Sequence, residues 1–181
     1  MRSALEDRGT CSAQQQFPDD EGHADAFRLA MRSIAATVFV VTLSETDRRY
    51  GITATAVSSL SLEPLSVLVC INRNASFHPI IGRADWFCLN ALREDQQAIA
   101  TQFGSSKGAP ERFQTGVWNL LGGLPALDDA QANLVCRKVR QEDFGTHTIF
   151  IGEVERVRSA SDARPLVYCD GLYHSGLGSR A

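Results

Sequence analysis

Between residues 37 and 169 the chain is a succession of short β-patterned segments, with only brief helical stretches among them. Residues 37–44, TVFVVTLS, are rich in β-branched side chains. Residues 50–59, YGITATAVSS, alternate small polar and apolar residues, as a strand with one wet face does. Pro64 interrupts, and residues 66–72, SVLVCIN, form a nearly continuous apolar strand. Further strands are predicted at 86–92, 134–141, 147–158 and 166–169. A helix is expected from about 25 to 35. Phe27, Ala30, Met31 and Ile34 fall there at helical spacing behind Asp25 as N-cap. A second short helix is expected at 95–103. Residues 104–132 carry glycines and prolines with few periodic apolar positions, and read as a long irregular excursion of the kind that often serves as a lid or binding loop. At least six strands with short flanking helices predict a mainly β fold, an antiparallel barrel rather than alternating βαβ units.

Composition sets the outer bounds. The 181 residues, 44% hydrophobic and 22% charged, suit one domain with a substantial core. Residues 1–22 are polar and read as a flexible tail, 23–176 as the domain, and 177–181 as a C-terminal tail. Eighteen basic against 21 acidic residues give a net charge of −3, which offers no electrostatic reason to expect nucleic acid as partner. No apolar run approaches the roughly 20 residues needed to span a bilayer. The first 23 residues lack the apolar stretch of a secretory signal and carry early acids, so a cytoplasmic location is expected. Five cysteines, Cys11, Cys70, Cys88, Cys136 and Cys169, form no CxxC pair and make a poor disulfide or zinc framework. The last four are expected to be small buried hydrophobes.

The common catalytic signatures are absent: no GxxxxGK[ST], no HExxH, no GxSxG. The terminal GLGSRA echoes GxGxxA but has no following helix. The four histidines are scattered, and no metal site is expected. Segment 51–59 has small residues where a core strand would have large ones. Small side chains let a flat ligand approach the backbone, whose N–H and C=O groups can bond its edge, with hydroxyls at Thr53, Thr55, Ser58 and Ser59 in reserve. Tight barrel packing explains the same pattern equally well. Asn72 to Ser76 lead into a short helical stretch, where amides with Arg73 and Ser76 could hold a phosphate or simply cap the helix. His147, at a strand mouth after Gly145, could donate a hydrogen bond in a cleft or face solvent. Tyr168 to His174 supply aromatic edges and a turn, suited either to stacking on a planar ring or to closing the core.

Taken in order, FRLAMRSIAATVFVVT, YGITATAVSSLSLEPLSVLVCINRNASF, WFCLNAL, AIATQFG, HTIFIGEVERV and RPLVYCDGLYH resemble the short-chain flavin reductase family, over roughly residues 25–175. These are the reductase components of two-component flavin-dependent monooxygenases. The resemblance implies an FMN-binding split barrel of Greek-key antiparallel strands, usually a homodimer, with flavin at an edge built partly by both subunits. It implies NAD(P)H-dependent reduction of FAD or FMN; NADH is favoured over NADPH because no arginine cluster for a 2′-phosphate stands out in the sequence. The reduced flavin then diffuses to a separate oxygenase acting on an aromatic substrate. By the same resemblance Tyr50, Gly51, Ile52, Thr53, Thr55 and Ala56 hold the flavin ring, and Cys70, Ile71 and Asn72 contact it from the next strand. Ala75 and Ser76 match the phosphate-side turn. Gln102 stands where relatives often carry a basic residue. His147 matches the histidine near the nicotinamide, and Cys169, Asp170, Gly171, Leu172 and Tyr173 match the turn lining that side. Relatives often read Gly-Asp-His where this chain has Gly145-Thr146-His147. They also often have glycine at Thr37 and two prolines at Pro64-Leu65. A non-catalytic flavin- or haem-binding carrier or sensor on the same barrel remains a second reading, and a pyridoxamine-phosphate oxidase-like enzyme a third.

Overall fold

The computed structural model describes residues 20–105, 109–162 and 164–175. The tail 1–19 with Cys11, and the terminal GLGSRA, lie outside the described residues. In chain order the elements are α1 (Asp20–Arg32), β1 (Ala36–Thr37), β2 (Phe39–Glu45), β3 (Arg48–Ala54), β4 (Val57–Leu62), β5 (Leu65–Asn72), α2 (His78–Arg83), β6 (Trp86–Ala91) and α3 (Gln97–Gly104). A 3-10 helix (Ala109–Gln114) follows, then β7 (Trp118–Leu121), β8 (Leu124–Leu127), β9 (Ala132–Phe144), β10 (His147–Ser159), β11 (Val167–Cys169) and β12 (Leu172–His174).

Seven strands form one antiparallel sheet in the order β3-β2-β6-β9-β10-β5-β4. β3 and β4 are its opposite edges, yet only Thr55 and Ala56 separate them in the chain. The sheet therefore curls until its edges approach, and it stays open along that seam because the edges do not pair. This is a split barrel. Register shifts in β10, between Ile151 and Gly152 and between Val154 and Arg156, mark bulges of the kind that bend a barrel strand. Gly152 is required there: a Cβ on it would lie 2.6 Å from Phe87 Cζ.

One core fills the barrel, with Val41, Leu43, Val69, Phe87, Leu89 and Phe150 fully buried, and Phe77 and Ile81 closing one end. A second core lies outside it, where Val38, Val40, Leu92, Leu127 and Leu166 meet Ile99, Ala100 and Phe103 of α3. Asn90 ties the β7–β8 hairpin to the sheet. Its Nδ2 donates to Val40 O at 2.9 Å and its Oδ1 accepts from Leu127 N at 2.9 Å and from Asn133 Nδ2 at 2.8 Å.

Several expectations are corrected. Segment 50–59 is two strands on opposite sheet edges, broken at Thr55-Ala56, where small residues allow the corner. The excursion 104–132 holds a 3-10 helix and the β7–β8 hairpin, whose glycine turn (Gly122, Gly123, both with positive φ) disguised it. A last strand, β12, follows β11. Helix α1 begins at Asp20, inside the stretch read as tail, and ends at Arg32, so Asp25 lies within it rather than capping it and Ile34 lies beyond it. Its apolar stripe is not core: Phe27 is 62% and Met31 49% exposed. Cys88 and Cys136 are buried as expected, but Cys70 and Cys169 are only half-buried.

Candidate functional site

β3 divides its residues between two jobs. Tyr50, Ile52 and Ala54 pack against the barrel core. Gly51 and Thr53 face α3: a Cβ on Gly51 would meet Phe103 Cε1 at 2.6 Å, and Thr53 Oγ1 donates to Ala100 O at 2.6 Å. The smallness of Gly51 thus serves α3 packing rather than the approach of a ligand to its Cα. The open edge of the strand is what remains. Gly51 O accepts from Arg112 Nη1 at 2.9 Å, so its backbone groups face away from β2. By antiparallel alternation those of Thr53 do too.

A cavity lies at each end of this edge. Thr55 and Ala56, at the barrel corner, line a mostly apolar cavity of about 450 Å³ with Phe27, Met31, Ile34 and Tyr168, and with Arg28 and Arg32, which are paired to Asp25 and Asp170. Tyr50, Gly51 and Ser76 line a smaller one of about 170 Å³ with Arg49, Arg112 and Phe113. Gly51 and Thr55 are four residues apart, about 13 Å along an extended chain.

On β5, the strand inside the β4 edge, Ile71 is buried and Cys70 half-buried, its thiol pushed up by burial. Cys70 N donates to Ala56 O at 2.9 Å, joining the two strands at the corner. Asn72 Oδ1 accepts from Asn74 N at 2.8 Å and shapes the turn carrying Ala75 and exposed Ser76. α2 has six residues and no side-chain cap. Arg73 turns toward Asp143, at 3.9 Å, and not into the small cavity.

His147 is exposed and stands directly opposite Asn72 in the β10–β5 register, although 75 positions separate them. Thr146 Oγ1 lies 2.9 Å from His147 Nδ1, so a hydroxyl meets the imidazole. Cys169 to Tyr173 form the β11–β12 hairpin, turned by Asp170 and Gly171 at positive φ. Asp170 N donates to Arg32 O at 2.6 Å, binding the hairpin to the end of α1. Tyr173 packs on the second core and against Tyr168, with ring centroids 5.2 Å apart, and burial pushes its phenol up. The hairpin thus sits beside the Thr55–Ala56 cavity through Tyr168. The partners of His147 are on β5 and its own turn.

Two residues escaped the sequence reading. Arg112 lies in the excursion read as irregular, and Arg49 in the polar turn ETDRR. The pair Arg112-Phe113, a cation and an aromatic amid glycines and prolines, was the available signal. Gln102 is half-buried on α3, next to the Phe103 that covers Gly51.

Comparisons with known proteins place the whole domain in one family. The family described as "Flavin reductase like domain" matches residues 31–177. The reductase component of an FADH(2)-dependent resorcinol hydroxylase from Rhizobium sp. is 38% identical over 156 residues, 84% of this chain and 87% of that protein. The FMN reductase (NADH) RutF of Pseudomonas syringae is 39% identical over 150 residues, covering 82% and 84%. A Streptomyces globisporus NADH:FAD oxidoreductase, solved with NAD and FAD fragments, superposes with a TM-score of 0.80 at 27% identity, covering 88% of this chain and 96% of that one.

Proposed function

The chain belongs to the flavin reductase-like domain family, and from that membership we propose that it is an NADH-dependent reductase of FAD or FMN. The reduced flavin passes to a separate monooxygenase acting on an aromatic, phenolic substrate. The observation that carries the reading is the open edge of β3 flanked by a mostly apolar cavity and a cationic one. A flavin has matching parts: a planar apolar ring with a hydrogen-bonding rim, and an anionic tail. The two cavities and the free edge between them therefore fit the group.

Bound nicotinamide and flavin would supply the hydride chemistry, and the protein would supply position and electrostatics. The edge backbone at Thr53, with Thr55 and Ala56, would bond and orient the ring, and donors there would stabilise charge developing on it. Cys70, Ile71 and Asn72 floor the site from the next strand. His147, its ring steadied by Thr146, would bind the nicotinamide amide and orient it. The Cys169–Tyr173 hairpin would form the other wall. Holding both rings in contact converts a two-molecule encounter into an oriented one.

A homodimer is part of the proposal. Phe27, Met31 and Ile34 beside the corner cavity, and Leu60, Leu62 and Leu65 near the β4 edge, are apolar and exposed in the single chain. The resorcinol hydroxylase relative supports an aromatic substrate for the partner oxygenase. Reliance on NADH favours the cytoplasm.

The test follows NADH absorbance with purified protein and FAD, FMN or no flavin. Flavin-dependent oxidation is expected. Bound flavin without NADH oxidation would instead indicate a carrier or sensor.

A further inference from the structure

α2 lacks a side-chain cap, yet the β9–β10 hairpin fastens it at both ends. At its start His78 Nε2 lies 2.8 Å from Thr148 Oγ1, which lies 2.5 Å from Asp143 Oδ1. An ionised carboxylate only accepts, so the single hydroxyl proton of Thr148 is donated to Asp143. The Thr148 oxygen then accepts from His78, whose Nε2 carries a proton. At the end of α2, Lys138 Nζ donates to Ile81 O at 3.0 Å and to Gly82 O at 2.6 Å. The turn before α2 is tied as well. Arg73 N donates to Thr146 O at 2.9 Å, and the Arg73 guanidinium lies 3.9 Å from Asp143 Oδ2.

Thr148 stands at the centre of this cluster and is only 1% exposed. Water cannot replace its partners there, so hydroxyl, carboxylate and imidazole hold one arrangement. Alternation along β10 turns Thr148 inward and His147 outward. Thr148 faces Ile71 across β5, and His147 faces Asn72. The cluster therefore joins segment 72–78, which carries the Ala75–Ser76 turn, to segment 143–148, which carries His147.

We infer that Thr148 is a positioning residue for the reductase reaction. Through His78 and Asp143 it fixes the mouth of β10 against the 72–78 turn, and so sets the distance between the two walls of the site. The inference rests on the flavin reductase reading and adds residues that touch neither cofactor. His147 serves one ligand, whereas Thr148 holds both walls, so its loss should be felt by both ligands.

Steady-state kinetics, flavin titration and denaturant unfolding compare the full chain with Thr148→Val, Thr148→Ser and His147→Ala. Valine keeps the branched shape without the hydroxyl. Thr148→Val should raise the KM for NADH about fivefold or more and weaken flavin binding about threefold or more, with kcat at saturation within about twofold. Thr148→Ser, which keeps the hydroxyl, should return both constants to within about twofold of the full chain. His147→Ala should move chiefly the KM for NADH. A Thr148→Val protein that unfolds more easily but keeps both constants has lost only a structural contact, and that result overturns the inference. If Thr148→Val does not fold, His78→Phe carries the test, since it keeps a ring and loses the donor. The same paired change is expected there, and unchanged constants overturn the inference. A full chain that neither binds flavin nor oxidises NADH removes the reductase reading and the inference with it. An active full chain with unchanged constants in Thr148→Val removes the inference alone.

Discussion

The Phe103 ring occupies the space that a side chain at Gly51 would need, its Cε1 lying 2.6 Å from where a Cβ would be built. That contact seats α3 on the outer face of β3, and the Thr53–Ala100 hydrogen bond secures it one turn away. The strand proposed to supply the flavin edge is thus held by packing on the side where sequence inspection would place the ligand.

Gly51→Ala should therefore destabilise the fold by about 1–3 kcal/mol, the usual cost of overpacking a close contact. Displaced α3 would drag the β3 edge with it, so flavin affinity should fall as well. Denaturant unfolding and flavin titration check both, and a fully stable variant with normal flavin binding would refute the packing account.

His147→Ala should raise the KM for NADH more than it weakens flavin binding, because the imidazole stands on the β10 mouth and not on the β3 edge. Steady-state kinetics with NADH varied at saturating flavin, beside a flavin titration, separate the two. An unchanged KM with lost flavin binding would remove the assigned role.

Burial pushes both Cys88 and Cys136 up to about 12 from an ordinary value of 9.0. The folded thiols stay protonated where the unfolded ones ionise. Their contribution to stability is present below pH 9 and is lost as pH rises from 9 toward 12, at about 1.4 kcal/mol per pH unit for each thiol. Denaturant unfolding across that window should show the decline, and it should flatten in Cys88→Ala/Cys136→Ala. A thiol reagent should reach these two only on unfolding, and the half-buried Cys70 and Cys169 in the native protein.

Ile34→Asp should shift the protein toward monomer in sedimentation velocity, because Ile34 is 58% exposed in a single chain, beside Phe27 and Met31. A monomeric parent chain, or an unchanged dimer in the variant, would refute the proposed use of this face.

Much of the barrel was legible because its information is local. β-Branched runs at 37–44 and 66–72 and the clear alternation at 147–158 each bury one face, and a period of two survives in the sequence. The hairpin at 118–127 was not legible, since its strands are four residues each and its glycine turn resembles a loop. The helix at residues 20–32 was recognised by its apolar stripe, but periodicity carries no record of what covers a stripe.

The sequence by itself determined a mainly antiparallel β chain, β-patterned small residues over 51–59, and an ordered likeness to flavin reductases. Only the tertiary structure decided that Thr55 and Ala56 turn one strand into two opposite edges of an open barrel. It also placed His147 opposite Asn72, and Arg112 against the Gly51 carbonyl across 61 positions of chain. Strand formation depends on neighbours a few residues apart, whereas these contacts exist only after the sheet has curled and its cores have packed. No local pattern encodes which distant side chain will then fill the space beside an edge strand.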